Sequence, residues 1–179
     1  MRIAVHDYAG HAFTLELSRE MASRGHDVLY LHCPDVVGGK GALSIRDDDP
    51  PTLVIQAATI RRTFEKYSPV RRYQDERAYG QVAAARIRAF GPRVVVSANT
   101  PLLSQARLVA EARRGRRRFV YWWQDSYGIG LRQVVGRRFP ALAPLVAVPF
   151  EALERWMLGA SDHVVAISEA LRGQALRWG

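Results

Sequence analysis

The chain has 179 residues, 48% of them hydrophobic, and a formal net charge of +9. That length and apolar content suit one domain with a sizeable core and argue against disorder. Lys40 and Lys66 are the only lysines, so the charge is nearly all arginine; beyond what arginine-rich codon usage supplies, the excess points to anionic partners, whether phosphorylated ligands, an acidic membrane surface or nucleic acid.

The chain opens on a short apolar run at 3–5, which His6 and Asp7 interrupt too early for a signal peptide. Further apolar runs follow at 28–31, 53–55, 94–96, 119–123 and 164–167. Runs without polar alternation predict strands covered on both faces, hence a parallel sheet. Helical patterns separate them. Phe13, Leu17 and Met21 recur every four residues and share one face, and Gly25 supplies a left-handed stop. Cys33, the sole cysteine, rules out an intrachain disulfide and fits a reducing compartment. Residues 34–51, with Gly38, Gly39, Gly41 and Asp47 to Asp49, read as a long loop. Tyr79, Ala83, Ile87 and Phe90 mark a helix that ends at Gly91 and Pro92, and 101–114 forms the next. The apolar stretch 139–158 is broken by Pro140, Pro144, Pro149, Glu151, Glu154 and Arg155, so it cannot span a bilayer. A proline-rich segment and a helical pattern at 150–158 precede the last strand.

Strands alternating with helices predict a single α/β domain over 1–179: a Rossmann-like, doubly wound parallel sheet in an α/β/α sandwich, with strand order 3-2-1-4-5-6. Such sheets bind ligands at the carboxyl ends of their strands, where the first and fourth diverge. Residues just after a strand reach that crevice; residues just before one face away. The arginines of 113–118 precede a strand. They read as a solvated helix end, or as membrane or nucleic-acid contact on the back face. Arg61, Arg62, Lys66, Arg71 and Arg72 follow the third strand, with Tyr67 and Tyr73 among them. They read either as an ordinary exposed loop or as forks for an anionic acceptor or its surrounding headgroups.

Three loops could carry chemistry. In the first, Ala9, Gly10 and His11 lead into a helix whose N–H groups could receive a diphosphate. The three-glycine dinucleotide fingerprint is missing, with Gly10 alone. His11 either touches a sugar or phosphate or is a capping or surface residue. In the second, at 97–101, Asn99 or Thr100 caps the next helix, with any ligand role secondary. In the third, Trp122 and Trp123 alternate faces and Gln124, Asp125 and Tyr127 emerge at the crevice. Asp125 could orient or deprotonate a hydroxyl, or hold the turn as an Asx motif. Ser168 and Glu169 start the last helix, as a cap. No metal-ligand spacing, nucleophile elbow or phosphate-loop motif occurs.

Three segments together resemble family-4 GT-B glycosyltransferases: the opening through LSREMASRGHDV at 17–28, WQDSY at 123–127, and ERWMLGASDHVVAIS at 154–168. The resemblance implies the N-terminal, acceptor-binding half of a retaining hexosyltransferase. Its donor would be a nucleotide-sugar, without an essential metal or other cofactor. Paired glutamates of a second domain, toward which the last helix (168–179) leads, would hold that donor; that domain lies outside this chain. The half by itself would be inactive. The resemblance places Gly10 near the donor diphosphate, though Ala9 stands where a second glycine is common. It places Gln124 where many members carry a histidine against the transferred sugar. Polysaccharide biosynthesis, a glycan or lipid-linked acceptor and peripheral contact with the anionic cytoplasmic face of the membrane are also implied. The site expected from all this comprises Gln124 and Asp125 as catalytic groups and Ala9, Gly10 and His11 at the diphosphate. Arg61, Arg62, Arg71, Arg72, Asn99 and Tyr127 would meet the acceptor. Two alternatives remain: a stand-alone module for phosphorylated glycans or anionic membrane, and a nucleotide- or nucleic-acid-binding Rossmann protein. The latter is disfavoured by the missing fingerprint, so no nucleic-acid partner is expected.

Overall fold

The computed structural model describes residues 1–35, 43–60, 69–98 and 100–178, with no side-chain detail at 69 and 70. Strands β1 (Arg2–Asp7), β2 (Asp27–His32), β3 (Leu53–Ala57), β4 (Val94–Ala98), β5 (Arg118–Trp123) and β6 (His163–Ala166) form one sheet. Its order is 3-2-1-4-5-6, as expected, and every pairing is parallel. Helices α1 (Ala12–Ser23), α2 (Pro69–Phe90), α3 (Leu102–Arg114), α4 (Tyr127–Arg138), α5 (Ala143–Ala160) and α6 (Glu169–Trp178) complete the fold.

Period-two alternation divides the core between the two faces. Ala4, Leu29, Leu31, Val95, Phe119, Tyr121 and Trp123 turn toward α2, α3 and α5 and meet Tyr79, Ile87, Leu108 and Met157. Ile3, Val5, Val28, Tyr30 and Val96 turn the other way and meet Leu15 and Ala22 of α1. Among the described residues α1 is the only helix on that second face. Val120 and Trp122 are consequently only part-buried there, and Val165 is 41% exposed.

Three elements differ from the expected pattern. α1 buries Thr14, Leu15, Ser18, Arg19 and Ala22, whereas Phe13 of the predicted apolar stripe is 48% exposed. Polar side chains fill this interface because each has a partner: Thr14 on Asp7, Ser18 on its own helix, Arg19 on Asp49. From Ala143 onward the stretch read as proline-broken is the continuous helix α5, with Pro149 inside it, and Pro140 falls in the turn before it. Pro144 falls in the first turn, where its missing N–H costs nothing. α4 was not anticipated, because Gly128, Gly130 and Gly136 weaken its helical pattern. Gly128 is required by space: a Cβ there would stand 2.9 Å from the Glu151 nitrogen and 3.0 Å from a Glu154 carboxylate oxygen. Gly25 has φ +81°, the left-handed stop the sequence predicts. Residues 36–42 of the predicted long loop lie outside the described residues.

Candidate functional site

A crevice of about 350 Å³ opens at the carboxyl ends of β1, β4 and β5. Parallel strands deliver three loops to this edge: Tyr8 and Ala9 after β1, Thr100 and Pro101 after β4, Gln124 and Asp125 after β5. Arg72 of α2, Tyr127 of α4 and Glu154 of α5 close the rim. Tyr8, Tyr121, Trp122, Trp123 and Tyr127 make the lining strongly aromatic. Burial pushes the Tyr8 and Tyr121 hydroxyls well above the ordinary phenol range, so both stay neutral.

Two buried polar networks set the loops. Asp7 ends β1 fully buried and accepts from the Ala9 nitrogen at 3.1 Å, the His11 nitrogen at 2.8 Å and Thr14 Oγ1 at 2.6 Å. It also pairs with His11 Nδ1 at 3.0 Å. Asp7 thereby satisfies donors that the helix start would otherwise present to an anion. The intrahelical ladder begins at Leu15, which leaves the N–H groups of Ala12, Phe13 and Thr14 outside it. His6 lies beneath. Ser97 Oγ donates to Gln105 Oε1 at 2.7 Å, so it accepts from His6 Nδ1 at 2.9 Å. Nε2 then accepts from the Tyr79 hydroxyl at 2.8 Å. Both ring nitrogens are used by a neutral imidazole, whose pKa burial lowers to about 4.

Glu154 holds the third loop. It is fully buried, and its carboxylate accepts from the Tyr127 nitrogen at 2.7 Å, the Gly128 nitrogen at 3.0 Å and Ser126 Oγ at 3.0 Å. A carboxylate at a helix N-terminus complements both the unpaired N–H groups and the dipole. Burial raises its pKa, and the three donated bonds oppose that shift. Ser126 and Glu154, rather than the expected Asp125, hold this turn.

Of the residues expected to form the site, Ala9, Arg72, Gln124, Asp125 and Tyr127 line this one crevice. Arg72 donates to Glu76 at 2.9 Å and stands 5.6 Å from the Tyr127 ring centroid. Arg71, exposed on α2, is absent from the lining. Gly10 is buried with φ +72°, and a Cβ there would meet Leu43 Cδ1 at 2.7 Å, so its open side is covered by protein. His11 is one-third exposed beside the crevice, its ring stacked on Phe13. Arg61, Arg62 and Asn99 lie outside the described residues. Thr100 does not cap α3; it bonds the Ala98 carbonyl and contacts His6, and Pro101 takes the cap position without a side-chain bond. Ser168 does accept from the Leu171 nitrogen. Sequence reasoning missed Tyr8, Tyr121 and Glu154 as site residues. Tyr121 sits in an apolar run that reads as core, Tyr8 in the first loop beside the residues singled out there, and Glu154 among the charges that break the apolar stretch 139–158. Among the described residues no group of three or more His, Cys, Asp or Glu could hold a metal ion, and no helix is long and apolar enough to cross a membrane.

Similar folds occur in solved structures. UGT2 of Phytolacca americana, complexed with UDP-2fluoro-glucose and pterostilbene, aligns with TM-score 0.51 at 12% identity, over 76% of this chain and 34% of that one. The Bordetella bronchiseptica enzyme WbmH, in complex with NAD+, aligns with TM-score 0.55 at 15% identity, over 93% of this chain and 55% of that one. A UGT transferase from Siraitia grosvenorii in complex with UDP gives TM-score 0.50 at 12% identity, over 76% and 32%. These likenesses show the fold, and the chain spans about a third to a half of those proteins. No curated protein matches the chain. The family profile described as a glycosyl transferase 4-like domain matches residues 9–179. The chain belongs to the glycosyl transferase 4-like domain family.

Proposed function

We propose that this domain is the acceptor-binding half of a retaining glycosyltransferase. It positions a glycan or lipid-linked acceptor for attack on a nucleotide-sugar that a second lobe presents, with no resident metal or cofactor. The observation that carries the reading is the aromatic crevice at the carboxyl ends of β1, β4 and β5. Flat rings suit the apolar faces of sugars, and Arg72 beside Tyr127 suits a hydroxyl-rich or anionic head. Gln124 and Asp125, at the end of β5, are the groups best placed to orient the acceptor hydroxyl. The chain spans only about a third of the two glycosyltransferases that share its fold, which supports a partial site.

Such a half binds acceptor weakly and turns over nothing alone, because the leaving diphosphate lacks preorganised donors. The test incubates the 179-residue chain with a panel of nucleotide-sugars and glycans and follows both acceptor binding and sugar transfer. Millimolar binding without transfer is expected (on the order of −4 kcal/mol). Transfer by this chain alone would overturn the reading, as would acceptor binding that Arg72→Ala and Tyr127→Ala leave unchanged.

A further inference from the structure

Two donors at the end of β5 are buried with nothing to bond. Trp123 is fully buried, Gln124 is half-buried, and both line the crevice. Among the described residues neither the Trp123 indole nitrogen nor the Gln124 side-chain nitrogen has a hydrogen-bond partner. An unpaired buried donor costs a fold about 1–3 kcal/mol, so such groups are scarce. Here two of them are consecutive in sequence and share one cavity. Nearby His6, Asp7 and Glu154 each have two or more partners, so polar groups at this edge are otherwise well matched.

The chemistry of the two groups defines what completes them. An indole N–H only donates, and so does a carboxamide nitrogen. Together they match an oxygen with two lone pairs and no proton of its own to place, which is a carbonyl or a carboxylate. Charge decides between these. Asp125 and Glu154 line the same crevice, and Arg72, the one cation among the described lining residues, is already paired with Glu76 at 2.9 Å. A carboxylate entering here meets two acidic side chains and a guanidinium that is already engaged. A neutral amide carbonyl meets neither cost. On a sugar that group is an acetamido substituent. Its methyl suits Pro101, Leu102 and the Tyr121 ring, which line the same cavity.

The shielding of the two nitrogens strengthens the bonds they would make. Both are out of contact with solvent, so folding has already met their desolvation cost, and the low local dielectric favours a new acceptor. The Gln124 carboxamide can turn about its broad terminal torsion to present an N–H to the cavity.

We infer that the crevice selects an acetamido sugar, with Trp123 Nε1 and Gln124 Nε2 as specificity-determining donors for the carbonyl of an N-acetylhexosamine unit in the acceptor. The inference rests on the reading of the crevice as the acceptor site and adds which acceptor it takes.

The test titrates the full 179-residue chain with the methyl glycosides of N-acetylglucosamine, glucose and glucuronic acid, and follows the Trp123 indole N–H by NMR. The acetamido sugar should bind on the order of tenfold more tightly than the glucoside, and should move the Trp123 N–H further downfield than the glucoside does. Trp123→Phe and Gln124→Met each remove a donor while keeping bulk, and each should lower that preference about threefold. If Trp123→Phe does not fold, the wild-type indole shift and Gln124→Met decide. Equal binding of acetamido sugar and glucoside, tighter binding of the glucuronide, or a preference that the variants leave unchanged would overturn the inference and leave the acceptor crevice standing. Binding of none of the three sugars would overturn the reading of the crevice itself, and the inference with it.

Discussion

Removal of the Glu154 carboxylate tests how the crevice rim is built. Three donors converge on it: the Tyr127 and Gly128 nitrogens at 2.7 and 3.0 Å, and Ser126 Oγ at 3.0 Å. Glu154→Ala removes all three bonds and leaves a buried Gly128 nitrogen at the head of α4 without its acceptor. A bond to a charged group contributes about 1.5–3 kcal/mol, but the desolvation cost of a buried carboxylate offsets part of the sum. The expected net loss is about 3 kcal/mol, which lowers the melting temperature of a chain this size by about 9 °C. Urea denaturation followed by circular dichroism measures the first figure and a thermal scan the second. Glu154→Gln keeps one acceptor oxygen and should fall between the two. The pH dependence gives a second check. Burial raises the Glu154 pKa above its ordinary 4.5, so the folded state holds the proton more tightly than the unfolded chain. That contribution is complete below 4.5 and is lost as pH rises through the folded value. The stability of wild type relative to Glu154→Gln should therefore decline from pH 4.5 upward. A Glu154→Ala loss below about 1 kcal/mol, or a difference from Glu154→Gln that grows with pH, would refute this account of the rim.

Other consequences follow from the same geometry. His6, lowered from 6.5 to about 4 by burial, binds protons less well folded than unfolded. Its contribution is complete above 6.5 and disappears as pH falls toward 4, about 3 kcal/mol in all, and a His6→Gln variant should flatten that part of the stability profile in denaturation experiments. Gly10→Ala should cost about 1–2 kcal/mol from the positive φ alone, plus whatever Leu43 requires to move; Gly25→Ala, with the same strain and nothing within 4 Å, measures the strain by itself. Arg72→Ala and Tyr127→Ala, both on exposed side chains, should weaken glycan binding severalfold in calorimetry while changing stability by less than about 1 kcal/mol.

The sheet was legible because parallel strands need apolar residues on both faces, and 28–31, 94–96 and 119–123 are such runs. Its order followed from the crossovers. What stayed hidden is mostly polar. His6 and Asp7 break an apolar run in sequence yet are fully buried in β1, because Ser97, Tyr79, Thr14 and backbone nitrogens satisfy them from distant positions. Thr14, Ser18 and Arg19 look like a wet helix face and instead form the buried one. Glu154 lies in a motif that carries the family resemblance, but nothing local reveals that it clamps the start of α4, 26 residues earlier at Gly128. α4 was obscured by glycines that weaken its pattern, one of which close packing against α5 demands.

The central claim is that the aromatic crevice receives the sugar acceptor. Its most direct test is indole N–H resonance mapping of the four tryptophans during titration with a panel of mono- and disaccharides. Trp122 and Trp123 line the crevice and Trp156 faces outward on α5. The account predicts saturable shifts of the Trp122 and Trp123 signals, abolished in Arg72→Ala/Tyr127→Ala, with Trp156 unmoved. Shifts confined to Trp156, or shifts at Trp122 and Trp123 that persist in the double variant, would contradict it.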